Sequence, residues 1–360
     1  MANVNYLLGV EAESAEALAV AASAEVAERL KVLLRLEARC TSTVLRTHED
    51  VDRLVGHLDR WVEKAGFTNS FFPLRADIFL NTGQVSPHVV SRDGDHPITL
   101  ITERLSKLGI NALPVTECGR NARFDQGFRA ALEFSNGRAA LIVNSQLFLN
   151  DGWRAKIKRK LAESSLRAGQ TDLIINWGDA SQYNKDWSFC RSHLMQILDL
   201  GPWSRVYSIQ SACPQTLSNY PEGVTEVPRL DWELGMDLIS IAADQHVDVD
   251  FGDYLIGSDL PRDLSAFRRR GRAKYIATSE SHYQFIRGGK INKENAAKQF
   301  ESIVSKAREL PDYEGDTYCA GNRILGEIAA GRLEIRENKK LVFAAQNRHI
   351  IRVANSLQDI

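Results

Sequence analysis

Polar side chains that close short apolar runs are the first residues to weigh for chemistry. In this chain they are Glu11 and Glu13, Glu37 and Arg39, Arg75 and Asp77, Glu117, Asn144, Asn176 with Asp179, Ser211, and Asp253 with Tyr254. Carboxylates mixed with arginines can hold a divalent metal or a phosphorylated ligand. The same mixture can be an ion-pair network that fixes strand register, because a charge without a partner is costly to bury. Most specific catalytic templates are missing: there is no HExxH, no GxSxG, no GxxxxGK[ST] and no HxH at a strand end. Metalloprotease, α/β-hydrolase and Walker-type readings therefore have no motif behind them.

Elements that could position such a set follow from a repeated alternation. Strand-like apolar runs are expected at 5–13, 31–40, 71–79, 112–118, 139–145, 171–180, 204–212 and 249–257, with helical patterns at 14–30, 48–65, 97–108, 122–135, 150–167, 184–199 and 228–244. AALIVN and LIINW lack the alternation of a half-buried strand and read as strands buried on both faces. Alternating strands and helices imply a parallel sheet with right-handed crossovers, and eight units are the number that closes into a barrel. The expected fold is thus α/β, a (β/α)8 TIM-barrel-like domain over 1–257. An open dinucleotide-binding sheet is disfavoured, since EAESAEA after the first run has no GxGxxG.

After 257 the rhythm changes, and 258–360 reads as a C-terminal β-hairpin and helix elaboration packed on the barrel as part of one unit. It is expected to cover one end of the barrel, with a strand pair KYIATSES and HYQFIRGG, helices at 293–310 and 319–331, and a last strand pair, 332–336 with 340–353. Arg287-Gly288-Gly289-Lys290 reads equally as an anion-holding glycine turn or as a β-turn ending a strand. Arg268, Arg269, Arg270, Arg272 and Lys274 read as the only dense basic patch. His48, His57, His193 and His246 read as ordinary surface or core residues, whereas His282 and His349 stand beside arginine-bearing motifs.

Composition excludes several classes. With 44% hydrophobic and 25% charged residues the 360-residue chain can bury a large core, and a formal charge of -1 shows no bulk affinity for nucleic acid. Five scattered cysteines without a CxxC pair suggest reduced thiols, and the Ala-rich N-terminus has no basic signal-peptide start. A cytoplasmic protein with no membrane span is expected.

FGDYLIG (251–257), KYIATSESHYQFIRGG (274–289), DTYCAGNRILGEIAAG (316–331) and NRHIIRVANSL (347–357) resemble, in order and spacing, the end of the beta protein family of phages and bacterial genomes. VLLRLE after a Gly-containing first strand is similar to the family's opening. The resemblance implies a barrel and a phage or bacterial-defence context, and it brings no reaction. Family positions carried over are Glu37, Arg75, Gly252, Asp253, Tyr254, Tyr275, Arg287, Gly288, Gly321, Ile324 and His349. Asn176, Asn322 and Asn347 stand where the family pattern has ionisable groups. Strand ends and family positions together give Glu37, Asp253 and His349 as the candidate catalytic group. Arg39, Arg75, Tyr254, Arg287 and Gly288 are the candidate phosphate-binding group, and Asp77, Glu117 and Asp179 the candidate ligands for a divalent metal such as Mg.

Two functions remain open at this level. One is a component of a phage–host conflict system whose barrel mouth binds a phosphorylated ligand or nucleic-acid end, with metal-assisted phosphodiester hydrolysis as an option. The other is a catalytically silent barrel serving as a binding or sensor module that docks a partner protein of the same operon. Nucleotide, nucleic acid and protein are the partners considered, and Glu37, Arg75, Asp253 and Arg287 are expected to face one cavity.

Overall fold

A computed structural model of the chain describes residues 5–11, 23–35, 77–83, 85, 90–91, 94–214, 220–257 and 271–360. Eight parallel strands close into a barrel: β1 (Tyr6–Glu11), β2 (Leu30–Arg35), β3 (Ile78–Asn81), β4 (Ala112–Glu117), β5 (Ala139–Asn144), β6 (Thr171–Asp179), β7 (Arg205–Ser211) and β9 (Asp250–Asp253), with β9 pairing back onto β1. The expected barrel is therefore present. Alternate side chains fill its interior, where Leu7, Leu33, Phe79, Val115, Ile142, Ile174, Tyr207 and Ile209 form one buried cluster. The intervening residues, such as Leu8, Val32, Leu80, Leu141 and Ile175, pack outward against the helices.

Helices among the described residues are α1 (Pro97–Lys107), α2 (Ala122–Leu132), α3 (Trp153–Glu163), α4 (Ser188–Leu198), α5 (Leu230–Ala243), α6 (Ala296–Arg308), α7 (Ala320–Ala329) and α8 (Lys339–Ser356). Their starts are chemically marked. Asn121 caps α2 by accepting the Phe124 N–H at 2.9 Å, and His96 caps α1 through Nδ1, 3.2 Å from the Ile98 nitrogen, with Pro97 in the first turn. No helix among the described residues is long and apolar enough to cross a membrane.

A three-stranded antiparallel sheet, in the order β10 (Arg272–Thr278), β11 (His282–Lys290), β8 (Gly223–Pro228), flanks the barrel. Its third strand comes from between β7 and α5, so the sheet is built from both sides of residue 257. One face packs on α6, α7 and α8 through a second core containing Tyr275, Ile286, Phe300, Ile303, Leu325 and Leu341. Tyr283 and Phe285 join the barrel's outer core instead. Among the described residues the elaboration meets the barrel's outer side on the segment leading into β2: Asn347 donates to Ser23 Oγ at 3.0 Å, and Arg29 donates to the Ala354 carbonyl at 2.6 Å.

The expected last strand pair is not formed, because 339–356 is the helix α8. Leu341, Ala344 and Ala345 face the second core, while Ile350, Ile351 and Val353 face the first. A helix buried on both sides loses the one-sided 3.6-residue signature and reads as a continuous apolar run.

Candidate functional site

Among the described residues, the C-terminal end of the barrel, its mouth, carries one polar residue from each of five adjacent strands. Arg35 ends β2, Asn81 ends β3, Glu117 ends β4, Asn144 ends β5, and Asn176 lies near the end of β6. Each sits two residues beyond an inward-facing member of the interior cluster, so strand alternation aims all five inward. All five are half-buried, on a layer between the apolar interior and solvent.

A hydrogen-bonded chain orders this arc. The Gly178 N–H donates to Asn176 Oδ1 at 3.0 Å, Asn176 Nδ2 donates to Asn144 Oδ1 at 2.9 Å, and Asn144 Nδ2 donates to Glu117 Oε2 at 3.3 Å. Glu117 Oε1 takes the Arg120 guanidinium. A register shift between Asn176 and Gly178 in the pairing with β7 turns Gly178 back to reach the Asn176 side chain. Next to the chain, Asn81 Oδ1 accepts the Gly83 N–H at 2.7 Å. The Arg35 guanidinium lies 4.5 Å over the ring of Tyr254. Tyr254 itself packs in the barrel interior against Gly9, where any side chain would collide with the ring.

Among the described side chains of this arc the Glu117 carboxylate is already held by Arg120 and Asn144. Each Asn carries two amide hydrogens and the Arg120 guanidinium five. Such a surface matches phosphoryl or other oxygen-rich anions.

The opposite end of the barrel is closed by ion pairs. Asp77 lies 3.6 Å from Lys31 and 3.3 Å from Arg138, which also sits 3.7 Å from Asp172; Asp250 takes Arg205 at 3.6 Å. Burial pushes the Asp172 and Asp250 carboxyls upward, with the nearby arginines pulling the other way. Asp77 precedes β3 and bonds Asn111 on this floor, so it is not a mouth residue. The expectation of a metal held by Asp77, Glu117 and Asp179 is corrected accordingly: Glu117 is at the mouth, and Asp179 is exposed and caps the turn at Ser181 with a 2.9 Å bond. Among the described residues no three His, Cys, Asp or Glu side chains are placed to hold a metal.

Asp253 and His349 come together, but away from the mouth. Asp253 lies between the inward positions Gly252 and Tyr254, so its side chain points outward, and both it and His349 are fully buried. His349 Nε2 lies 2.9 Å from Asp253 Oδ2 and its Nδ1 2.8 Å from Thr278 Oγ1, so the tautomer protonated at Nε2 donates to the carboxylate and accepts from the hydroxyl. Asp253 Oδ1 also accepts from the Tyr6 hydroxyl and the Leu255 N–H, each at 2.8 Å. Beside this group Tyr283 donates to Asp231 at 2.7 Å, and Arg229 lies 3.9 Å from the same carboxylate. Burial, then the adjacent Asp253, pushes the Tyr6 phenol well above its ordinary range. A carboxylate, an imidazole and a hydroxyl are thus aligned as in a proton relay, yet sealed between β9, β10 and α8. The arrangement is a clasp joining barrel to elaboration.

Arg287 and Gly288 belong to neither group. Both lie within β11, where Arg287 donates to the Tyr220 carbonyl and the Gly288 carbonyl accepts from Arg272 at 3.3 Å. The next N–H, of Gly289, is taken by Gln299 at 2.8 Å, so the segment is neither an anion loop nor a terminal turn. His282 pairs with the Ser281 hydroxyl at 2.8 Å. Arg272, from the basic run, is ion-paired to Glu222. The expected common cavity is not formed by Asp253 and Arg287, and Glu37, Arg39 and Arg75 lie outside the described residues, as do Glu13, Cys40, His48, His57, Arg268, Arg269 and Arg270.

The asparagines that depart from the family pattern have bonding roles. Asn322 donates to the Gly315 carbonyl at 2.8 Å, and Asn347 Oδ1 accepts the Gly321 N–H at 2.8 Å. Arg35, Asn81 and Arg120 are mouth residues that sequence reasoning missed. The signal was the Thr82-Gly83 step directly after IFLN, which marks the strand end at Asn81.

The sequence profile described as Beta protein matches residues 11–355. No curated protein matches the chain. Among solved structures, Anabaena HepE in complex with UDP-glucose is 12% identical over 99% of this chain and 97% of its own, with a TM-score of 0.22. The same protein with UDP and glucose is 12% identical over 99% and 100%, also with a TM-score of 0.22. Likeness at that level carries no argument about ligand or mechanism.

Proposed function

The chain belongs to the Beta protein family, and we propose that its barrel mouth binds a phosphorylated small molecule or the phosphorylated end of a nucleic acid, as a component of a phage–host conflict system. The observation that carries this reading is the half-buried arc Arg35, Asn81, Glu117, Asn144 and Asn176 with Arg120 beside it. Barrels of this class use the C-terminal ends of their strands for ligands. The test is calorimetric binding of nucleoside monophosphates and of the matching nucleosides. Phosphate-dependent binding should weaken at least tenfold in Arg120→Gln and Asn176→Ala. Equal affinity for nucleoside and nucleotide, or variants that bind as the wild type does, would overturn it. The phage context is tested by plaquing on a bacterial strain expressing the chain with its neighbouring genes, wild type against Arg120→Gln.

The sealed position of Asp253 and His349 favours the catalytically silent form of this reading, a sensor module rather than a hydrolase. Hydrolysis of an activated phosphodiester in the presence of Mg, lost in Glu117→Gln, would refute the silent form and keep the mouth as the site.

A further inference from the structure

We propose that the outer face of α3, with Arg129 of α2 alongside, is a docking surface for the phosphodiester backbone of a nucleic acid. Residues 120–163 carry nine Lys and Arg against four Asp and Glu, a net of +5 in a chain whose total is -1. On α3 itself the cations are Arg154, Lys156, Lys158, Arg159 and Lys160, so the run 268–274 is not the only dense basic patch, contrary to the expectation from sequence. Lys160 is buried and bound to Asp125 of α2, which leaves four on the solvent side, three of them exposed and Lys156 half-buried.

These four have no carboxylate within ion-pair reach among the described residues. Arg154 donates to the neutral Gln196 amide at 2.8 Å, and Arg129 donates to the Glu163 backbone carbonyl at 2.7 Å. Elsewhere on the surface comparable arginines are paired, as in Arg191–Asp237, Arg308–Asp316 and Arg332–Glu327. Glu163 is the one acidic residue of α3, so cations outnumber carboxylates on this face, as polyanion binding requires.

Helical geometry sets the arrangement. Arg154 and Lys158, four residues apart, form one row on the flank towards α4; Lys156 and Arg159 form a second row on the flank towards α2. Between the rows the exposed crest is Ala155 and Ala162, low enough for a backbone to approach. From Arg154 to Arg159 the helix rises about 7.5 Å, near two phosphate steps of one strand. A membrane surface fits less well, because the crest offers only alanines where an interfacial helix presents Trp, Phe or Leu. The face begins at the end of the β5–α3 connection, beside the mouth, and shares no residue with it.

The experiment is fluorescence anisotropy of a labelled single-stranded 20-mer between 50 and 200 mM salt, against Arg154→Gln/Lys156→Gln/Lys158→Gln/Arg159→Gln. Wild type should bind with a steep salt dependence, and the variant should lose at least tenfold at low salt and about three units of the log–log salt slope. Mononucleotide binding at the mouth should be unchanged in this variant, so failure here is separable from failure of the mouth. The Arg332→Gln/Arg336→Gln protein is the control for charge alone. No binding of the 20-mer at 50 mM salt, equal binding by the quadruple variant, or binding to anionic vesicles in place of oligonucleotide would each overturn the proposal.

Discussion

Replacing Asp253 by Ala removes the acceptor of three buried donors at once: the Tyr6 hydroxyl, the Leu255 N–H and His349 Nε2. Each orphaned donor costs about 1–3 kcal/mol, and breaking a buried pair about 3–5 kcal/mol, so about 4 kcal/mol is expected for the clasp. With an unfolding entropy of about 2.1 cal/mol/K per residue over 360 residues, that loss lowers the melting temperature by roughly 5 °C. Asp253→Asn should fall by less than half as much. Its oxygen keeps Tyr6 and Leu255, and its amide can donate to His349 Nε2 once the imidazole proton moves to Nδ1, where Thr278 Oγ1 can accept it. Scanning calorimetry of both variants, with Asp179→Ala as the exposed control, reads this order directly. An Asp253→Ala protein melting within about 1 °C of wild type, with binding abolished, would refute a structural clasp and return Asp253 to the functional site.

His96 gives a pH dependence with a definite sign. Burial first, then Arg120 and Arg123, depress its pKa from 6.5 to about 4, and only the neutral ring can cap α1 through Nδ1. The unfolded state therefore takes up the proton first. Stability is complete above the unfolded pKa and declines as pH falls towards the folded one, by on the order of 2 kcal/mol at pH 5. Denaturant titrations of His96→Asn, which keeps a capping acceptor that does not titrate, should show a flatter profile between pH 7 and 5; identical slopes would remove His96 from the account. Gly321→Ala drives a methyl into the Ala344 carbonyl and pries α7 from α8. Urea unfolding should register a loss of about 1–3 kcal/mol, and an unchanged midpoint would contradict the packing. Among the four described cysteines, all free, only Cys118 is partly exposed, and burial pushes the Cys190 thiol up to about 12. In a Cys40→Ser background a thiol reagent should consume one fast-reacting group, and more than one would contradict the burial of Cys190, Cys213 and Cys319.

The barrel was legible because runs such as AALIVN and TDLIINW are buried on both faces and sit between amphipathic helices at regular intervals. The site was only half legible. Asn144 and Asn176 close unmistakable strands, but β3 was read at 71–79 while it occupies Ile78–Asn81. That shift moved attention from Asn81 to Asp77, from one end of the barrel to the other. Phase along a strand is what decides lumen or wall, and Asp253 shows the consequence: one residue from Tyr254, it faces outward into the clasp. The edge strand β8 was missed because GVTEVP is short, carries a Pro and has only one sheltered face, so its partner β11 some sixty residues later is the only evidence for it.

That late partner imposes an order of events on synthesis. By residue 257 the ribosome has made every barrel strand, yet β8, already present, has nothing to pair with until His282–Lys290 is made. From 257 to 290 is 33 residues, roughly two to seven seconds of elongation at 5–20 residues per second. Throughout that interval the nascent barrel displays an open edge bearing Val224 and Val227, and Asp253, already bonded to Tyr6 and Leu255, waits still longer for His349 on its bare flank. The C-terminal hundred residues are therefore expected to act as an internal chaperone segment, with truncations near 257 aggregating rather than yielding a smaller soluble barrel.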